Sequence, residues 1–336
     1  MISKINKSKK RQARSWVEAL FQKRDCVTFI PSTTDKTRCS CGLSLTFHCG
    51  GGSGSVQLDP DNPNEVWSSL RHTVVSATDA YGTIEFQGGP HPTKAQYVRL
   101  SHDTRPETIL HLFNREWGLE LPKLLITIQG GKANFEIQPK LKKVLRKGLL
   151  KAAKTTGAWV FTGGTNTGVT RQVGDALLLD SQRPGRVVSI GIAPWGIIEN
   201  NHELIGHNKD VPYHSISSPR SKLAVLNNRH TYFLLVDDGT SGRYGAEIEL
   251  RKKLEKYISI QKLHPSAHYS TPVVSLVIEG GTHTIRAVLE YVTDTPPVPV
   301  VICDGSGRAA DLLAFTHRWP IPFESDMQWI VADKLF

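Results

Sequence analysis

The segment AWVFTGGTNTGV, residues 158–169, is a continuous apolar run that ends in two glycines and leads into a helix pattern. An apolar run of strand length without alternation is typical of a parallel strand buried on both faces of a sheet. Five further runs of this kind, each followed by a turn, span residues 124–128, 187–192, 232–236, 273–278 and 298–303. Because helix patterns separate the runs, the sequence predicts an α/β fold with a doubly wound, mostly parallel sheet of six strands.

The chain divides into four predicted regions around this sheet. Residues 1–14 form a basic tail, and residues 15–122 form a β-rich lead-in to the α/β region of residues 123–318. Residues 319–336 form a divergent C-terminal tail. Within the α/β region, residues 199–221 contain two prolines and break the alternation of strands and helices, so we expect them to be irregular.

The chain is basic, with 41 Lys and Arg against 31 Asp and Glu and a formal charge of +10 in 336 residues. This excess favours an anionic partner: a phosphorylated ligand, a nucleic acid or an anionic membrane surface. No apolar run approaches the roughly 18 to 20 residues of a membrane-spanning helix, so we expect no pore in this chain. The basic tail lacks the apolar core of a secretory signal, which favours a cytosolic location.

Two glycine-rich turns stand at the carboxyl ends of predicted strands, where the ligands of a doubly wound sheet bind. Each opens a helix, so its backbone N–H groups could bind a phosphate, although such turns also occur without a ligand. A guanidinium opposes the dipole of a helix N-terminus, so we expect Arg308 to meet an anion or to pair with Asp304 or Asp311. The candidate ligand-binding residues in these turns are Gly163, Gly164, Thr165, Asn166, Thr167, Gly305, Ser306, Gly307 and Arg308.

A third loop follows the run of residues 232–236 and contains Tyr244 between glycines. Its ring is free to meet a planar base, and Arg251 lies two helical turns further along on the same side. Together with Arg308, these residues could recognise a base and two phosphates. The same residues are equally compatible with a core aromatic ring and two surface ion pairs.

Four soft ligands for a metal ion cluster in the lead-in. Cys26, Cys39, Cys41 and His48 could close around a structural zinc ion, and four protein ligands would leave no open position for catalysis. The Cys-x-Cys spacing is tighter than the usual Cys-x-x-Cys. The alternative is a set of buried thiols with a surface histidine.

Several motifs in a fixed order resemble the N-terminal homology region of melastatin-type transient receptor potential (TRPM) channels. The similarity runs from about residue 15 to residue 317. Within the family it is strongest for the melastatin-proper and channel-kinase group, through GTIEFQGG (82–89) and LELPKLL (119–125). The other motifs are SWVE (15–18), RDCV (24–27), CSCG (39–42), DAYG (79–82), TTGAWVFTGG (155–164), GIAPWG (191–196) and VDDGT (236–240).

This resemblance implies a cytosolic, Rossmann-like SLOG domain that assembles with other subunits of a tetrameric cation channel. It implies contact with a membrane only through that assembly, and no nucleic acid among the partners. In the family member that senses ADP-ribose, a Tyr, an Arg and a second Arg in equivalent motifs bind the nucleotide; here these positions are Tyr244, Arg251 and Arg308. The expected ligand is therefore ADP-ribose or another adenine nucleotide.

Two alternatives to a ligand-sensing role remain. The first is a structural assembly module with a vestigial pocket. The second is an enzyme, because SLOG domains are related to phosphoribohydrolases and GRYGAEIE (242–249) is similar in outline to their signature, with Glu249 as its final acid. The leading Pro-Gly-Gly of that signature is replaced here, so we expect a domain without enzymatic activity.

Overall fold

The computed structural model describes residues 15–45, 48, 65–88, 93–177, 187–216, 221–262, 270–318 and 330–331. The predicted basic tail and most of the predicted C-terminal tail lie outside these ranges. The strands are β1 (Gln22–Cys26), β2 (Thr73–Ala77), β3 (Ala80–Gln87), β4 (Thr93–Ser101), β5 (Leu125–Gly130), β6 (Trp159–Thr162), β7 (Val188–Pro194), β8 (Gly206–His214), β9 (Tyr232–Asp237), β10 (Val273–Ile278), β11 (Val300–Cys303) and β12 (Ile330–Val331). The α-helices are α1 (Trp16–Leu20), α2 (Ser69–His72), α3 (Pro106–Arg115), α4 (Pro139–Thr156), α5 (Gly168–Leu177), α6 (Ala246–Ser259), α7 (Thr282–Thr293) and α8 (Arg308–Arg318).

Ten strands form one sheet in the order β12-β11-β10-β5-β6-β7-β9-β4-β3-β8. Neighbouring strands are parallel except for the antiparallel pair β3 and β4, whereas β1 and β2 form a separate antiparallel pair. The doubly wound α/β fold predicted from the sequence is confirmed, and all six predicted strands are present.

The prediction of only six strands was wrong. β3 and β4 come from the lead-in, so the sheet continues across the division predicted at residue 122. β8 lies within residues 199–221, which were predicted to be irregular. It is an edge strand in which only Val211 and Tyr213 are buried, so it lacks the continuous apolar run of a central strand.

Side chains of the central strands alternate between two buried faces. Leu125 packs in a cluster with α3 and α6, while its neighbour Ile126 packs in another cluster with α4 and α5. A third cluster joins β10 and β11 to α7 and α8. Burial on both faces explains why these strands are apolar throughout. Among the described residues, no helix combines the length and hydropathy needed to cross a bilayer.

A buried ion pair fastens the lead-in to the end of β9. The carboxylate of Asp237 is 1% exposed and lies 2.6 Å from a terminal nitrogen of Arg99 on β4. The backbone N–H of Arg24 on β1 donates to the same carboxylate at 3.3 Å. Burial raises the pKa of Asp237, and the charge of Arg99 opposes that shift. The arrangement joins three strands by one carboxylate.

We expect Asp237→Asn to lower the free energy of unfolding by about 3 kcal/mol, because it leaves the buried guanidinium of Arg99 without its nearest counter-charge. Glu290→Gln is the matched control, since Glu290 forms an exposed pair with Lys252 at 3.1 Å. That loss should be at most about 1 kcal/mol. Denaturant titration measures both variants, and equal losses would contradict a structural role for the Asp237 pair.

Candidate functional site

The order of the strands creates a crevice between β5 and β10. From β5 the chain proceeds to β6, β7 and β9 on one side, and then returns to place β10, β11 and β12 on the other. Loops that leave adjacent strands in opposite directions open a crevice at their carboxyl ends. A cavity of about 800 Å³ lies there. Its walls are the loops after β5, β6 and β10, the start of α8, and α6 and α7 along their whole lengths. It therefore continues as a groove between these two helices as far as Val273, the first residue of β10.

Six residues that the sequence singled out line this one cavity, although they come from three separate loops and helices. They are Gly163, Thr165, Thr167, Tyr244, Arg251 and Arg308. The other predicted residues of the two glycine-rich turns, Gly164, Asn166, Gly305, Ser306 and Gly307, do not line it. Gly164 instead packs directly against Gly191 of β7. A Cβ added to Gly191 would stand 2.6 Å from the Cα of Gly164, so this close approach requires a glycine at position 191.

Tyr244 stands at the cavity with its side chain 42% exposed. The ammonium of Lys132, from the loop after β5, lies 4.0 Å from the centre of the Tyr244 ring. The same ammonium is 3.2 Å from the carboxylate of Glu247. Burial, and then the charge of Glu247, raises the pKa of Tyr244. A cation and an aromatic ring are thus held together at one end of the cavity.

Arg251 is held rigidly and its side chain is only 12% exposed. Its Nε donates to Glu255 at 2.9 Å, and one terminal nitrogen donates to the carbonyl oxygens of Ile128 and Phe161 at 2.8 and 3.2 Å. Tyr291 donates to the second oxygen of Glu255 at 2.7 Å. The other terminal nitrogen of Arg251 has no hydrogen-bond partner among the described residues.

Arg308 meets a carboxylate, but not either of the two that were considered from the sequence. Its guanidinium is 64% exposed and lies 3.2 Å from the buried carboxylate of Glu279. Asp304 pairs with Arg318, and Asp311 accepts from the backbone N–H groups of Gly305 and Gly307. Arg308 and Glu279 both have a positive φ, at 47° and 56°. Strained backbone of this kind in a non-glycine residue is frequent at ligand sites.

The backbone N–H groups of the predicted phosphate turns are already engaged. Those of residues 164–169 all donate within the protein, for example Asn166 to the carbonyl of Val225 and Gly168 to the side chain of Asn134. Asp311 occupies the N–H groups of Gly305 and Gly307. The N–H groups of residues 164–169, 305 and 307 are therefore not free to bind a phosphate, and the side chains supply the charge that an anion would meet.

Sequence reasoning missed Lys132, Glu247 and Glu279. Lys132 directly follows Gly130-Gly131 at the end of the central strand β5, and Glu279 follows β10 in the same way. The sequence predicted a strand end before each of these loops. Only the pairing of β5 with β10 in the structure shows that the two loops are neighbours. Glu249, the acid considered for a hydrolase, is exposed and does not line the cavity, whereas Glu247 does.

A second group of chemically reactive side chains lies in the lead-in. The ligand atoms of Cys26, Cys39, Cys41 and His48 are all buried and lie within 4.8 Å of one another. Nε2 of His48 is 3.1 Å from the sulfur of Cys26, and the indole N–H of Trp67 donates to that sulfur at 3.2 Å. This group could hold a metal ion.

The thiols of this group are strongly coupled. The pKa of Cys39 is lowered, chiefly because the Cys26 thiol hydrogen-bonds to its sulfur, and the same contact raises the pKa of Cys26. The backbone N–H of Cys41 also donates to the sulfur of Cys39, at 3.4 Å. The sulfur of Cys39 also lies 3.7 Å from the carbonyl oxygen of Thr28, and binding of a metal would require these thiols to lose their protons.

Comparisons with known proteins place most of the chain in one family. A family model described as SLOG in TRPM matches residues 95–333. The chain is 70% identical over 312 residues to the transient receptor potential cation channel trpm of Drosophila melanogaster, covering 93% of this chain and 15% of that protein. It is 51% identical over 314 residues to subfamily M member 1 of Mus musculus (91% and 19%) and 50% identical over 327 residues to member 7 of Homo sapiens (91% and 18%). The chain thus spans less than a fifth of these relatives.

Proposed function

Since this chain belongs to the family of SLOG domains in TRPM channels, as its motifs predicted, we propose that it is the ligand-sensing part of such a cation channel. It would lie on the cytosolic side of the membrane and touch the membrane only through the channel. Its partners would be the other subunits of a tetrameric channel. Its ligand would be an adenine nucleotide such as ADP-ribose.

The cavity between β5 and β10 supports this proposal by its size and charge. At about 800 Å³ it falls within the range of roughly 300–1,000 Å³ for small-molecule sites. Six Lys and Arg against four Asp and Glu line it, which favours a ligand with negative charge.

Each part of a dinucleotide would find a suitable group. The partly exposed ring of Tyr244 would stack on the adenine base, as aromatic side chains do with planar ligands. Lys132 and Arg308, on two different loops, would bind the phosphates. Arg251 is fixed by Glu255 and by backbone carbonyls, so it would contribute its remaining N–H groups without losing conformational entropy.

A bound diphosphate would also change the cavity. Arg308 now pairs with the buried Glu279, and a phosphate would compete with that carboxylate for the guanidinium. The loops after β5 and β11 would be drawn together by the shared ligand. We propose that this movement is what the rest of the channel senses.

Calorimetric titration of the chain with ADP-ribose tests this proposal, and we expect a Kd in the micromolar range, about −7 to −8 kcal/mol. Arg308→Ala and Lys132→Ala should each weaken binding about tenfold, because each removes one charged hydrogen bond from a phosphate. Both side chains are more than half exposed, but their partners Glu279 and Glu247 are buried, so the free energy of unfolding of each variant is measured beside its titration. Lys143→Ala, an exposed change outside the cavity, is the control and should bind like the wild type.

Flat titrations for the wild type and the variants would instead favour the second candidate, a structural assembly module with a vestigial pocket. The observation in its favour is that Arg251 and Arg308 are already paired with Glu255 and Glu279. In that case the oligomeric state in solution should not change when Tyr244, Arg251 or Arg308 is replaced.

We propose as well that the metal ion suited to the Cys/His group is zinc in a structural role. Bonds of about 2.0–2.3 Å place the ligand atoms of tetrahedral zinc about 3.4–3.8 Å apart. The four atoms here lie within 4.8 Å, so small rotations of buried side chains would bring them to one ion. Three sulfurs and one imidazole are a ligand set that zinc prefers.

We expect the purified chain to contain about one zinc ion, by metal analysis, and Cys39→Ser to lose it. Cys303→Ser is the matched control, because Cys303 lies on β11, away from the other described cysteines. This variant should keep its zinc. A folded wild-type chain without metal would contradict the zinc proposal.

A further inference from the structure

The Cys/His group touches the loop that carries Tyr244. The backbone N–H of Ser241 donates to the carbonyl of Cys41 at 2.7 Å. The next residue, Gly42, has a φ of 102°, and a Cβ added to it would stand 2.1 Å from the carbonyl oxygen of Ser241. Only glycine can bring the two backbones this close. Cys41, one of the four candidate metal ligands, is therefore in direct hydrogen-bond contact with the loop that carries Tyr244.

The same loop is held from its other side by the turn after β7. The backbone N–H of Gly242 donates to the carbonyl of Gly196 at 2.8 Å, and a Cβ on Gly196 would stand 2.0 Å from the carbonyl of Thr240. Residues 240–242 are thus clamped between two backbone segments.

Beyond this clamp the loop has few supports. Gly242 and Gly245 have φ values of 71° and 125°, and an added Cβ at either would meet nothing within 4 Å. Tyr244 lies between them and is partly exposed. The N–H of Gly245 donates to Glu247 at 2.8 Å, and the ammonium of Lys132 contacts the ring. The position of the ring therefore depends on where the loop is fixed at Ser241 together with these two contacts.

The segment that forms the Cys/His side of the clamp has little to stabilise it without a metal. Within residues 27–45 and 48 it contributes two isolated bridges, Pro31 with Cys39 and Arg38 with Ser44. Its apolar cluster consists of Cys26, Cys39 and Cys41 with three partly buried side chains, Phe29, Leu43 and Trp67. Loop-rich segments with so small a core commonly need a metal or disulfides to fold.

We infer that a metal ion bound by Cys26, Cys39, Cys41 and His48 holds Cys41 and Gly42 against Ser241 and thereby positions the Tyr244 loop. The metal acts on the site through the backbone contact and not as a ligand of the nucleotide. Its effect on loop order is independent of the nucleotide, whereas its effect on nucleotide affinity rests on the function proposed above.

Hydrogen exchange by mass spectrometry tests this on the full chain, with zinc bound and after removal by a chelator. We expect exchange in a peptide covering residues 238–245 to become about three- to tenfold faster without zinc, the equivalent of one lost hydrogen bond. Added Zn²⁺ should restore slow exchange, and added Mg²⁺ should not, because it prefers oxygen ligands. A peptide covering residues 273–278 of β10, away from this contact, should be unchanged.

Gly42→Ala breaks the contact with Ser241 while it keeps all four ligand side chains in the sequence. Its zinc content is measured first, because the N–H of Gly42 also donates to the carbonyl of Cys39 at 2.8 Å. We expect this variant to keep its zinc and yet to show fast exchange at residues 238–245. Gly148→Ala is the control, since an added Cβ there meets nothing within 4 Å, and it should exchange like the wild type. If removal of the metal unfolds the whole chain, exchange in the zinc-bound Gly42→Ala variant still tests whether the contact with Ser241 orders the loop.

Three results would overturn the inference: a folded chain that binds no zinc, zinc removal without faster exchange at residues 238–245, or Gly42→Ala with full zinc and unchanged exchange. Affinity for ADP-ribose is measured beside the exchange, and Gly42→Ala should weaken it several-fold. If the wild type binds no ADP-ribose while the exchange results hold, the proposed nucleotide function fails and the metal-dependent clamp stands.

Discussion

The buried carboxylate of Asp237 joins three parts of the chain that are far apart in sequence. It ends β9, pairs with Arg99 of β4 and accepts from the backbone of Arg24 on β1. Its other oxygen accepts from the N–H of Gly239 at 2.9 Å, which begins the loop that leads to Tyr244. A charge buried this deeply is tolerated only when it is fully paired. The lead-in, the sheet and the site loop must therefore fold together.

The electrostatics of the cavity follow from the same principle of paired charges. Arg251 and Arg308 both line the cavity, and each already has a carboxylate partner, Glu255 and Glu279. The two pairs differ in burial, because Arg251 is enclosed and Arg308 is exposed. A phosphate would compete with Glu279 for the exposed Arg308, and part of its binding energy would be spent on separating that buried carboxylate from its partner, whereas Arg251 would keep its partners. Such a site would bind with moderate affinity and respond by moving the Arg308 loop, which suits a sensor better than a permanent cofactor site.

Much of the fold could be predicted because the six central strands are buried on both faces and their sequences are continuously apolar. The edge strand β8 could not be predicted, because only two of its side chains are buried. The segment that contains β3 and β4 was predicted to be β-rich, but not to belong to the same sheet. Tyr244, Arg251 and Arg308 were predicted as ligand contacts from local patterns, and all three line the cavity. Lys132 and Glu279 were missed because their loops are adjacent only through the pairing of β5 with β10, which the sequence does not show. The engaged N–H groups of the phosphate turns were missed too, since acceptors such as Asn134 and Val225 are distant in sequence.

If the crevice between β5 and β10 is a nucleotide site, ADP-ribose must occupy it in the bound protein. A crystal structure of the chain grown with ADP-ribose tests it most directly. We expect density in this cavity, with the adenine ring against Tyr244 and the phosphates between Lys132 and Arg308. Density for the nucleotide at another surface, with Arg308 still paired to Glu279 beside an unoccupied cavity, would contradict it.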